Sequence, residues 1–180
     1  MEQVLPPQTA SGGGFELTRV RQFTVFLENR VGRLMALLRA LEEDGQHLHA
    51  LAIEESADAA LVRIIVSDPD RAKPDLKRRG FSLSTTEVLC VELPMQDSMP
   101  LQSVCQALLA AELNLHYTYP MLKGISGPAV VVYVDDSTLG CRLLFRKGFR
   151  ILSEADLGRS PEEPHEDDPP PPAPRDYGGN

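Results

Sequence analysis

Three observations predict an α+β fold of two repeated βαββαβ units. First, Asp68 to Gly80-Phe81 spans the same distance as Asp136 to Gly148-Phe149, so a segment recurs at an offset of 68 residues. Second, each copy follows a β-branched run, Leu61 to Val66 and then Val130 to Val134, which is the signature of a strand. Third, Leu48-His49 recurs as Leu115-His116 at an offset of 67, so the loop between the two middle strands is one residue longer in the second copy.

The first unit opens with a strand at Gln22–Glu28, alternating in apolar character. Leu34, Leu37, Leu38 and Leu41 then fall at i, i+3, i+4 and i+7, one apolar stripe of a helix, and Gly45 stops it. His47–Glu55 and Ala60–Ser67 read as two more strands. Asp68 is an N-cap followed by Pro69 in the first helical position. Pro74 inside this second helix predicts a kink or a late start. Gly80 ends it, and Phe81–Glu87 is the fourth strand.

The second unit opens at once with a strand at Val88–Pro94. Leu101, Val104, Cys105 and Leu108 form its helix stripe. Asn114–Leu122 and Pro128–Asp135 are strands, Ser137–Lys147 is a helix stopped by Gly148, and Phe149–Ser153 closes the unit. Each unit is thus a four-stranded, helix-covered, ferredoxin-like layer. The expected organisation is a disordered tail at 1–19, a first domain at 20–87, a second at 88–157, and an acidic, proline-rich disordered tail at 158–180. A unit of about 65 residues has a marginal core, so burial of one copy against the other is expected to matter.

The chain has 180 residues, 42% of them hydrophobic, and a formal charge of −8. The acidic balance argues against nucleic acid and against an anionic membrane surface as partners. No apolar run spans a bilayer, and Met1–Gly14 lacks the layout of a secretory signal. A cytoplasmic protein is expected. Cys90, Cys105 and Cys141 lie in apolar contexts and read as reduced core residues. Neither a metal site nor a cofactor is expected, since Cys and His are not clustered.

The candidate chemistry lies in Glu28-Asn29-Arg30-Val31-Gly32-Arg33-Leu34, which joins the first strand to the first helix. Gly32 opens the helix, where backbone N–H groups point outward and the dipole is positive. A small carboxylate can sit there, and glycine lets it approach closely. Asn29 offers an amide. Arg30 or Arg33 can pair bidentately with a carboxylate. The competing reading is that Gly32 only permits a tight turn. His47, His49 and His116 read as packing or surface residues.

Residues Phe23 to Leu34, with Asn29, Gly32 and Leu34 in an Asn-x-x-Gly-x-Leu turn, resemble the opening of an ACT domain, a small regulatory module that senses amino acids. His116-Tyr117-Thr118-Tyr119, the Ala129–Asp136 strand and Lys147–Glu154 resemble the closing half of bacterial tandem ACT proteins. The resemblance covers about residues 21–157. It implies two ferredoxin-like units side by side, with an eight-stranded antiparallel sheet and helices on one face. It also implies a ligand between one copy's glycine turn and the facing copy. Residues 29 to 34 would then face Leu115–Tyr119, and Tyr117 and Tyr119 would wall the pocket. Ordinary sheet packing is the alternative for those tyrosines.

Aligned on the leucine stripes, Gly32 corresponds to Met99, Asn29 to Gln96 and Arg30 to Asp97. Met99 places a side chain where a ligand would approach, and Pro100 removes a donor N–H. One ligand per chain is therefore expected. The resemblance implies a non-catalytic regulator that binds a small amino acid and modulates an enzyme of amino-acid metabolism, with further pairing into a homodimer. The first turn resembles that of acetolactate synthase small subunits, which points to a branched-chain amino acid. The alternative is an interaction module without a ligand, docking a partner through its sheet or tail. An enzyme is not expected, because no nucleophile–base set, carboxylate pair or phosphate-cradling loop stands out.

Overall fold

The computed structural model describes residues 18–28, 30–55, 59–122 and 124–158. The readings made for Asn29 and for nearly all of both tails lie outside the described residues. Seven strands form one antiparallel sheet: β1 (Val20–Glu28), β2 (Leu48–Glu55), β3 (Ala59–Val66), β4 (Ser82–Glu92), β5 (Leu115–Pro120), β6 (Ala129–Val134) and β7 (Ile151–Leu152). Their order is β2-β3-β1-β4-β6-β5, with β7 also on β4. The main helices are α1 (Arg33–Glu43), α2 (Pro69–Arg78), α3 (Pro100–Leu109) and α4 (Ser137–Arg146). A short α5 (Glu154–Leu157) follows β7, opened by a reciprocal Ser153–Asp156 capping box.

The sheet has seven strands rather than the expected eight, because the last strand of the first unit and the first of the second are one strand. Between Thr85 and Val91 there is no glycine, proline or turn residue to stop β4. Its first half pairs with β1, from Phe26↔Ser82 to Val20↔Val88. Its second half pairs with β6 at Leu89↔Val132 to Glu92↔Ala129, and with β7 at Cys90↔Leu152 and Val91↔Ile151.

The sheet is also curled. β2 and β5 end the strand order, yet they meet at an Ala50↔Met121 bridge, where Leu122 N–H donates to the His49 carbonyl at 2.8 Å. Alternate residues of β4 sort the core into layers. Leu83, Leu89 and Val91 face helices. Leu83 packs in a cluster with Leu37, Leu41 and Leu76, and Leu89 and Val91 pack with Val104, Leu108 and Leu144. Val88 and Cys90 face the concave side, where Val20, Ile65, Val131, Leu152 and Leu157 form a third cluster drawn from both halves. Burial pushes the Cys90 thiol up to about 12, as expected of a core cysteine rather than a nucleophile.

Two local expectations are modified. Leu101, assigned to the buried stripe of α3, is exposed, and Ala107 takes the inward place beside Val104 and Leu108. α2 runs through Pro74 from Pro69, with the Asp68 carboxylate capping Arg71 N–H at 3.0 Å. Arg21 joins β1 to α5 and α2. Its guanidinium donates to Glu154 of α5 at 2.8 Å and to Asp70 of α2 at 2.6 Å, which holds it in the charged form.

Candidate functional site

β1 ends at Glu28, and the chain reverses into α1 over a few residues. Arg30 N–H donates to the Glu28 carbonyl at 2.7 Å, and Arg33 N–H to the Arg30 carbonyl at 3.2 Å. Gly32 occupies the N-cap position in the left-handed region, with φ +87°. A Cβ built there would meet nothing within 4 Å. Backbone conformation, and not packing, therefore calls for glycine here, and the space above it is open. Val31 beside it is fully exposed. Gly32 has no side chain and so brings no cap of its own to the first turn of α1. Leu34 points down and packs against the first core cluster.

The two arginines of the turn differ. Arg30 is exposed, with its Nε 3.3 Å from a Glu28 carboxylate oxygen. Arg33 lies over the ring of Phe81, 5.7 Å from the centroid, and its buried Nε has no acceptor among the described residues.

The corresponding turn of the second half is occupied by its own side chains. The Asp97 carboxylate accepts from Met99 N–H at 2.9 Å and from the Ser103 hydroxyl at 2.6 Å. The Ser103 bond first, and then the Met99 bond, hold this carboxyl below the usual carboxylate range. Met99 stands at the N-cap with φ −136°, and Pro100 follows.

Tyr117 and Tyr119 stand apart from the first turn. Both point onto the concave face and meet Gln22 of β1. Gln22 Nε2 donates to the Tyr117 hydroxyl at 2.9 Å, and the Tyr119 hydroxyl donates to Gln22 Oε1 at 2.8 Å. Gln22 lies six residues before the end of β1, about 20 Å along the strand from Glu28 at roughly 3.3 Å per residue. The tyrosines thus join the two halves. They would face the turn only if the units lay side by side in a flat sheet, and the curl brings β5 onto β1 and β3 instead. Tyr117 stacks on Tyr133 at 5.0 Å, and Arg63 lies over it at 4.4 Å. Burial pushes the Tyr119 hydroxyl well above its ordinary range, so it stays a donor.

Sequence reasoning did not single out Gln22, which is 0% exposed. The signal was present: it alternates with Phe23, Val25 and Leu27, so it belongs to the opposite face, the same one as Val20. His116 packs against Tyr133 at 5.2 Å, and His47 is exposed. His49 is partly buried, with no partner for its Nε2 among the described residues, and burial lowers its pKa. Among the described residues, no group of three or more His, Cys, Asp or Glu side chains is arranged to hold a metal. Among them, too, no helix is long and apolar enough to cross a membrane.

A curled antiparallel sheet carrying two α+β halves, with an open glycine turn in one of them, defines a paired α+β module. The chain belongs to the ACT domain pair family, whose model matches residues 18–159. ACT domains are regulatory and generally non-catalytic. Protein BT0572 from Bacteroides thetaiotaomicron is 30% identical, over 79% of this chain and 98% of that one, with a TM-score of 0.71. The ligand-free regulatory subunit of aspartate kinase from Thermus thermophilus is 12% identical, over 73% of this chain and 93% of that one, with a TM-score of 0.51. That second likeness is one of fold alone. No curated protein matches the sequence.

Proposed function

We propose that this protein is a non-catalytic regulator that binds one small amino acid per chain at the first strand-to-helix turn. In doing so it modulates an enzyme of amino-acid metabolism. The observation that carries the reading is the contrast between the two turns. Gly32 brings no side-chain cap and has open space above it, while the second turn has its Met99 N–H taken by Asp97 and a donor removed by Pro100. Asn29, Arg30, Val31, Gly32, Arg33 and Leu34 are the proposed ligand edge. Tyr117 and Tyr119 contribute by coupling the second half to β1, which leads into that turn. Membership of a regulatory family and the fold shared with an aspartate kinase regulatory subunit support an enzyme as the downstream partner.

A thermal-shift screen of the common amino acids tests this reading. A ligand at 100 times its dissociation constant stabilises by about 2.7 kcal/mol, and Gly32→Met removes the shift. No shift with any amino acid would favour a second reading, an interaction module without a ligand. One observation speaks for that reading: Met95 and Met99 beside the second turn are 74% and 60% exposed, and Leu122 of the β5–β6 loop is 61% exposed. Joined into one patch, such side chains would mark a partner surface.

A further inference from the structure

Resting on the reading that the first turn binds a ligand, we infer that Arg33, and not Arg30, is the anchor for a free carboxylate on that ligand. Four arginines are half-buried among the described residues: Arg19, Arg21, Arg33 and Arg63. Three of them meet carboxylates within the chain. Arg19 pairs with Glu87, Arg21 with Asp70 and Glu154, and Arg63 with Glu54. Arg33 is the exception, for none of the described carboxylates pairs with it; its Nε is buried without a described acceptor, as is that of Arg19, which nonetheless reaches Glu87 through Nη1. A buried guanidinium N–H ordinarily has an acceptor.

The position of Arg33 suits an incoming anion. Its guanidinium rests over Phe81, and a guanidinium set against a ring keeps its N–H fork in plane for a bidentate carboxylate. It stands next to Gly32, whose open side lets a ligand approach the backbone. Arg30 is a poor anchor, because it is solvated and already beside Glu28.

The duplication supplies an internal control. Gly80-Phe81 recurs as Gly148-Phe149, both glycines have positive φ, and both rings pack into their cores. The residue corresponding to Arg33 is Pro100. The second half therefore keeps the aromatic platform and lacks the cation, in the same half that has its turn filled by Asp97.

The test uses the full chain and whichever amino acid gives the largest thermal shift, together with that amino acid's α-carboxamide. Calorimetry then compares wild type, Arg33→Gln, Arg33→Lys and Arg30→Gln. Arg33→Gln is expected to weaken the acid by about 10- to 100-fold, the range for hydrogen bonds to charged groups. Arg33→Lys recovers part of that loss. The carboxamide binds wild type weakly and is insensitive to Arg33→Gln, and Arg30→Gln weakens the acid far less than Arg33→Gln does. The ligand-free melting temperature of Arg33→Gln controls for folding and should match wild type. If Arg33→Gln binds the acid as wild type does while Gly32→Met abolishes binding, the turn is the site and Arg33 is not its anchor. If no amino acid binds, the reading of the site and this assignment fall together.

Discussion

The two strand-to-helix turns of this protein begin the same element in the same fold and have opposite chemistry. The first has a left-handed glycine, which brings no cap of its own, and an arginine that pairs with none of the described carboxylates. The second has a methionine, a proline and an aspartate that accepts from both the backbone and Ser103. Their packing beneath is alike, with α1 and α2 over β1 and β3 in one half and α3 and α4 over β6 in the other. Duplication thus preserved the core in both halves and separated the turns, leaving one open and one satisfied by its own chain.

The largest expected effect probes whether the halves are separable at all. Leu37→Ala and Leu144→Ala each remove a fully buried leucine, one per half, and should each cost about 2–5 kcal/mol. Because β4 runs through both halves and the concave core draws on both, each variant should melt in a single transition. Two resolved transitions in calorimetry would show the halves to be independent. Next comes the seam. Tyr119→Phe removes the hydroxyl that donates to buried Gln22 and should cost about 1–3 kcal/mol in denaturant unfolding. Tyr117→Phe should cost less, since Tyr117 is only half-buried and water can replace its hydroxyl.

Gly32→Met should cost about 1–2 kcal/mol without ligand, because φ +87° is strained for a side chain. Met99→Gly should cost nothing comparable from backbone strain and should not create a second site, since Asp97 and Pro100 remain. The smallest effect is a pH dependence at His49. Burial lowers its pKa below 6.5, so between the folded and unfolded values the unfolded chain holds more protons. Stability from this group therefore rises with pH through that window and is lost as pH falls below about 6.5. Melting temperatures followed from pH 7.5 to 5.5 should decline less steeply in His49→Gln than in wild type.

Much of the fold was legible because its signals are local. The leucine stripe of α1, Asp68-Pro69 at the start of α2 and the glycines after α2 and α4 each act over a few residues. The contrast between Gly32 and Met99 was legible too, once the repeat was aligned. What escaped depends on tertiary geometry. The alternation from Thr85 to Val91 allows either one strand or two, and pairing with β1, β6 and β7 makes it one. The curl that sets Tyr117 and Tyr119 on Gln22 has no local signature, which is why a flat, side-by-side arrangement put them at the turn. The choice between Arg30 and Arg33 likewise needed Glu28 and Phe81 in place.

The central claim is one ligand turn per chain. Its most direct test is titration calorimetry of the full chain with the amino acid that gives the largest thermal shift, run on wild type and on Gly32→Met. The account predicts one site per chain in wild type and no binding in Gly32→Met. Two equivalent sites per chain, or undiminished binding in Gly32→Met, would contradict it.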